Sequence, residues 1–298
     1  MLNRKNKKNV PLLLILLISF IGVSARVDSS GINGIINTHD SLTISSVKDS
    51  SSTEIDENSL IEPEIPLHAS MDAFIDDYTD EHGDLFEKML ESKSSYFKTI
   101  DKIFLDQGIP VELKYVAVIE SKLKTNARSG VGAVGLWQFM PATAKTYGLK
   151  ITSKYDERQN LWKSTGAAAK YMKSLYKYFE DWLLVVAAYN SGPGPIFTAI
   201  KKSGSRNFWK LQYFLPKETR LHVKRFIATH YYFEGKGSLV TLGKAESDKY
   251  LNALEEYKAK LNELNDENSS NNEDSNSTPQ QLIAITQNEN DLNLIMKK

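Results

Sequence analysis

The chain has 298 residues with 37 basic and 37 acidic side chains, so its formal net charge is zero. No basic run is interleaved with aromatics, which excludes nucleic acid as an expected partner. Cysteine is absent, ruling out disulfides, thiolate metal sites, a cysteine nucleophile and a lipidated N-terminal cysteine, and the histidines show no metal-ligand spacing, so no metal or other cofactor is expected.

In chain order, Arg4, Lys5, Lys7 and Lys8 precede an apolar run from Val10 to Val23, and Val23, Ser24 and Ala25 form a small-residue cleavage pattern. Residues 1–25 therefore read as an export signal. The run of about 14 residues is short of the roughly 20 needed to span a bilayer, which favours cleavage over retention. An uncleaved segment would tie the protein to the membrane. Both readings place the rest of the chain in the periplasm or cell envelope.

Residues 26–66 are dominated by Ser, Asp, Asn and Thr and are expected to be a disordered linker. From about residue 67 to 237 the pattern becomes helix after helix, with no period-two alternation. The expected helices are 71–80, 83–91, 94–107, 111–122, 141–147, 161–178, 181–190, 195–202 and 216–233. Pro110, Pro141 and Pro216 fall near first turns, and Gly108, Gly148 and Gly235 follow helix ends. One all-α domain of roughly 170 residues is the resulting expectation. Over 238–264, Tyr250, Leu254, Tyr257, Leu261 and Leu264 recur at helical spacing, which predicts one amphipathic helix packed on that domain. The tail, 265–298, is polar and Asn-rich and is expected to be disordered.

The first candidate for chemistry lies in PVELKYVAVIESKL, residues 110–123. Leu113, Val116, Ala117 and Leu123 are three, four or seven positions from Glu120, so the carboxylate shares the apolar face of its own helix. Such a setting disfavours the charged form and prepares a general acid. The structural alternative is a helix-end glutamate satisfied by backbone amides or by Lys124. From Ser121 to Tyr155 there is no Asp or Glu, so no local second carboxylate shares the work that glycosidases usually divide between two. Asp156, Glu157, Asp181 and Glu218 remain candidates for that second group.

Further along, SGVGAVGLWQFMP (129–141) concentrates glycines ahead of Trp137, Gln138, Phe139 and Met140. Glycines let backbone approach a ligand, and Gln138 can both donate to and accept from an acetamido group, whereas Trp137 and Phe139 read as core. In VVAAYNSGPGPI (185–196) a strongly apolar helix ends on Tyr189 and Asn190; the phenol could orient Glu120, and Asn190 reads equally well as an ordinary C-terminal cap. PKETRLHVKRF (216–226) alternates charges like a solvated face, with Glu218 and His222 four apart on one side.

Taken in order, Glu120-Ser121, GLWQFMP at 135–141, AYNSG at 188–192 and Glu218-Thr219-Arg220 resemble the family 1 lytic transglycosylases, in particular the membrane-bound lytic murein transglycosylase D type. The resemblance covers about residues 66–235. It implies a lysozyme-like, goose-type-like helical fold and a carbon–oxygen lyase that cleaves the β-1,4 bond between N-acetylmuramic acid and N-acetylglucosamine, leaving a 1,6-anhydro end. Carried over by position, it implies Glu120 as acid and then base. Ser129 would bond the glutamate or the acetamido group, and Gln138 and Met140 would line the sugar site. Tyr189 would assist beside Glu120, with Asn190 supporting the site and Glu218 contacting substrate. The peptidoglycan strand is the implied partner. Two positions depart from the pattern: His222 stands where tyrosine is frequent, and Pro195 where a basic residue is common. A non-catalytic peptidoglycan-binding module and a hydrolytic muramidase are the competing readings.

Overall fold

The structure, a computed structural model, describes residues 61–271, with side chains as far as residue 266. The expected signal and most of the expected linker and tail lie outside the described residues. The described residues all fall within one unit, 54–298.

Nine α-helices occur among the described residues: α1 (Asp72–Gln107), α2 (Tyr115–Ser121), α3 (Pro141–Thr146), α4 (Leu161–Phe179), α5 (Trp182–Ser191), α6 (Pro193–Ser203), α7 (Phe208–Leu211), α8 (Lys217–Glu234) and α9 (Lys244–Asn271). Three isolated antiparallel bridges are the only β pairing there, so the all-α expectation holds. Asn160, Asp181 and Asn207 cap α4, α5 and α7 by accepting backbone N–H groups, the usual role of these residue types. None of the described helices is long and apolar enough to cross a membrane.

Two departures from the expected elements have physical causes. The three short helices predicted over 71–107 are one continuous helix of 36 residues. Gly83 does not break it: Tyr232 of α8 lies over this position and its hydroxyl donates to the Gly83 carbonyl at 3.3 Å, so packing between the helices offsets the propensity cost of about 1 kcal/mol. The helix predicted over 111–122 begins instead as a 3₁₀ turn, Val111–Lys114, and becomes α-helical only from Tyr115.

α5 is the centre of the fold. All residues from Trp182 to Ala188 are buried, and α4, α6 and α8 pack around it. A helix apolar on every side requires this central place. On α9 the predicted stripe of Tyr250, Leu254, Tyr257, Leu261 and Leu264 is half-buried, while Glu255, Glu256, Lys260 and Glu263 are exposed.

Candidate active site

Glu120 occupies the last turn of α2. Leu113, Val116, Ala117 and Leu123, the residues that share its helix face, are all fully buried, so the carboxyl emerges from an apolar wall, as the spacing predicted. Directly after Ser121 the chain reverses through Lys122 and Leu123, both at φ 55°. Two consecutive non-glycine residues in the left-handed region end the helix abruptly. Ser121 then ties this corner to the following loop: its hydroxyl donates to the Leu136 carbonyl at 2.7 Å.

That loop, 122–140, is held from inside by Arg158. The buried guanidinium donates to the carbonyls of Gly132 at 3.0 Å and Phe139 at 2.9 Å and grips Asp156 with its remaining N–H groups. Gly135, at φ 90°, lies so close to this segment that a Cβ there would come within 1.9 Å of the Arg158 carbonyl oxygen. Here glycine is required by contact as well as by dihedral angle.

Burial, reinforced by the negative charge of Glu218, pushes the Glu120 carboxyl up to about 8. Its side chain is still 17% exposed, and Nε2 of His222 stands 3.6 Å from Oε1. This is not an ion pair. Burial, and secondarily the charge of Arg225, presses the His222 imidazole down to about 3, so near neutrality a protonated acid faces a neutral ring. Nε2 of His222 is buried and has no hydrogen-bond partner among the described residues.

Of the carboxylates that stood as possible partners, only Glu218 is felt by Glu120, and it is exposed and paired with Arg225 at 2.8 Å. Asp156 is committed to Arg158, and Glu157 to Lys163 and to the Lys150 backbone N–H. Asp181 accepts from the backbone N–H groups of Leu184 and Lys244.

The other site residues expected from sequence are placed as follows. The Ser129 hydroxyl oxygen accepts from Ala133 N–H at 2.9 Å. Gln138 adopts φ 47° and spends an amide N–H on the Gly135 carbonyl at 2.8 Å, leaving its carbonyl oxygen for another donor. Met140 is 43% exposed. Trp137 and Phe139 are core, the former donating from Nε1 to Thr165 at 3.0 Å. The Tyr189 hydroxyl donates to the Trp137 carbonyl at 2.9 Å; burial and the nearby Glu120 and Tyr171 raise its pKa far above the ordinary phenol value. Asn190 is not the C-cap of α5, which is Gly192. Its Oδ1 accepts from the Thr219 hydroxyl at 2.9 Å and joins α5 to α8. Among the described residues no hydrogen bond links Glu120 to Ser129, Gln138 or Met140; His222, Glu218 and Tyr189 are the groups brought near it.

Sequence reasoning placed His222 on the same side as Glu218 but not against Glu120. The departure from tyrosine at that position was the available signal. The Asp156–Arg158 clamp went unseen because it acts on backbone carbonyls distant in sequence.

Within this all-helical scaffold, which presents one protonated carboxyl beside a glycine-built loop, residues 105–212 match the transglycosylase SLT domain family. It is 43% identical over 127 residues to membrane-bound lytic murein transglycosylase D of Escherichia coli strain K12, an alignment covering 41% of this chain and 28% of that protein. A putative tributyltin chloride resistance protein of Alteromonas is 41% identical over 95 residues, covering 32% of this chain and 46% of the relative. The chain thus spans less than half the length of these relatives. The solved 70 kDa soluble lytic transglycosylase of Escherichia coli aligns with 47% of this chain and 24% of its own, at 29% identity and a TM-score of 0.40. The family match stops at residue 212, before α8 begins, so Glu218 and His222 lie beyond it.

Proposed function

We propose that this protein is an exported peptidoglycan lytic transglycosylase, cleaving the β-1,4 bond between N-acetylmuramic acid and N-acetylglucosamine and leaving a 1,6-anhydromuramic acid end. The observation that carries the reading is the protonated carboxyl of Glu120, with the one carboxylate it senses among the described residues exposed and already paired. An acid poised near neutral pH can protonate a glycosidic oxygen. With no second free carboxylate beside it among the described residues to act as nucleophile or to activate water, the nucleophiles come from the substrate in this reading.

In this mechanism the Glu120 proton passes to the bridging oxygen as the bond from C1 of the muramic sugar to that oxygen breaks. The neighbouring acetamido oxygen supports the positive charge left at C1. The Glu120 carboxylate then takes the proton of the C6 hydroxyl as O6 bonds to C1, which restores the acid without consuming water. The same group therefore acts twice. The carbonyl oxygen of Gln138 is available to receive an acetamido N–H, and Met140 offers an exposed apolar side chain to the sugar face. The relationship to a lytic murein transglycosylase supports the substrate class, and the N-terminal export pattern supports a place in the periplasm or cell envelope. Residues 67–237 form the catalytic domain in this reading, with 238–264 as an accessory helix between it and the polar tail.

Digestion of purified sacculi followed by mass spectrometry of the muropeptides tests the proposal. Anhydro ends are expected. Reducing ends alone would identify a hydrolytic muramidase, and binding without release of soluble fragments would identify a non-catalytic module.

A further inference from the structure

The charged stretch that opens α8 has two sides in the structure. Glu218, His222 and Arg225 belong to the surroundings of Glu120. Lys217, Arg220 and Lys224, three and four positions apart, line a separate cavity of about 340 Å³ whose other wall includes His68, Trp209 and Tyr213.

Several properties of this cavity favour an anionic occupant. Three cations line it, and no carboxylate pairs with any of them among the described residues. Arg220 and Lys224 are partly buried in its wall and Lys217 is exposed at its edge, so an anion seated there would meet two cations that solvent screens incompletely. The aromatic wall adds shape: His68 stacks on Trp209 with centroids 3.8 Å apart and planes within 10°, and Tyr213 stands 73% exposed at the rim. Trp209 is 8% exposed, and its Nε1–H is buried without an acceptor among the described residues, a donor that carries an uncompensated desolvation cost.

We propose that this cavity is a second binding site, one that takes the free carboxylates of the peptide attached to the glycan strand whose bond Glu120 cuts. The inference rests on the peptidoglycan reading above. Its geometric basis is that the two sites share one helix, with Leu221 lining the cavity and His222 facing Glu120 at successive positions. In this proposal the peptide substituent of a strand seated at Glu120 extends to the neighbouring face of α8. Arg220 offers a planar fork suited to a carboxylate, Lys217 and Lys224 act as point charges, and the aromatic wall covers the peptide's aliphatic parts.

The test uses the full chain carrying E120Q, which binds without turnover, titrated calorimetrically with the tetrapeptide released from peptidoglycan, with inorganic tripolyphosphate and with peptide-free glycan strands. The tetrapeptide is expected to bind, to bind more weakly as salt rises, and to lose roughly tenfold in affinity in R220Q/K224Q while R220K/K224R retains most of it. Tripolyphosphate binding without tetrapeptide binding would overturn the peptide assignment. Tetrapeptide affinity unchanged in R220Q/K224Q would overturn the site itself, as would failure of both anions to bind. Failure of the cleavage reading appears separately, in the sacculus digestion, because these titrations require no reaction.

Discussion

At the residue scale the protonation of Glu120 sets both activity and stability. Its carboxyl moves from an ordinary value of 4.5 to about 8 on folding. Between those limits the unfolded carboxyl is ionised while the folded one holds its proton, so the contribution of Glu120 to stability falls as pH rises through the window, by up to about 1.4 kcal/mol per pH unit, opposed below about pH 6.5 by the depressed His222. E120Q removes this contribution. Urea denaturation should find E120Q more stable than the parent above pH 8, with the gap closing below pH 4.5, while fragment release from sacculi drops by about a hundredfold or more. E218Q removes the negative charge that helps hold the proton on Glu120. The alkaline limb of the pH–rate profile should then move to lower pH, by a fraction of a unit given the exposure of Glu218; an unmoved limb would mean that Glu120 does not govern it.

At the scale of elements, the loop between α2 and α3 depends on a close approach of backbones. G135A drives a methyl group into the Arg158 carbonyl and forces an L residue to φ 90°. A loss of about 2–4 kcal/mol is expected, read as a lowered Tm. How far the fold was legible follows from such contacts. α3 and α8 were announced by Pro at their starts and Gly after their ends, and the end of α1 by Gly108, all local signals. The continuity of α1 through Gly83 was not, because Tyr232 of a distant helix offsets the glycine's cost. For the site, the apolar face that carries Glu120 was visible in its spacing. The neighbours that tune it were not, since the proximity of Glu218 and His222 depends on how α8 docks rather than on any pattern within α8. Asn190 shows the same limit: its position at the end of an apolar helix suggested a cap, and a hydroxyl on α8 claimed it instead.

For the whole molecule, Asp181 joins regions far apart in the chain. One carboxylate oxygen caps the central helix α5 through Leu184 N–H at 3.1 Å, and the other accepts Lys244 N–H at 2.8 Å where α9 begins. D181A should cost about 1–3 kcal/mol, and hydrogen exchange should quicken along α9 as well as at the start of α5; an effect confined to α5 would show that α9 is anchored by its half-buried stripe alone. The docking of α8 against α2 has a kinetic consequence of its own. A newly made or refolding chain presents Glu120 to water, and the group gains its unusual proton affinity only when that long-range contact closes. Near pH 7.5 the imidazoles of His222 and His230, which burial depresses to about 3 and about 4, are largely neutral in either state, so folding should draw more than half of one proton from the medium. A pH-indicator dye in weak buffer would report its uptake in the phase that assembles the site, and the signal should vanish in E120Q.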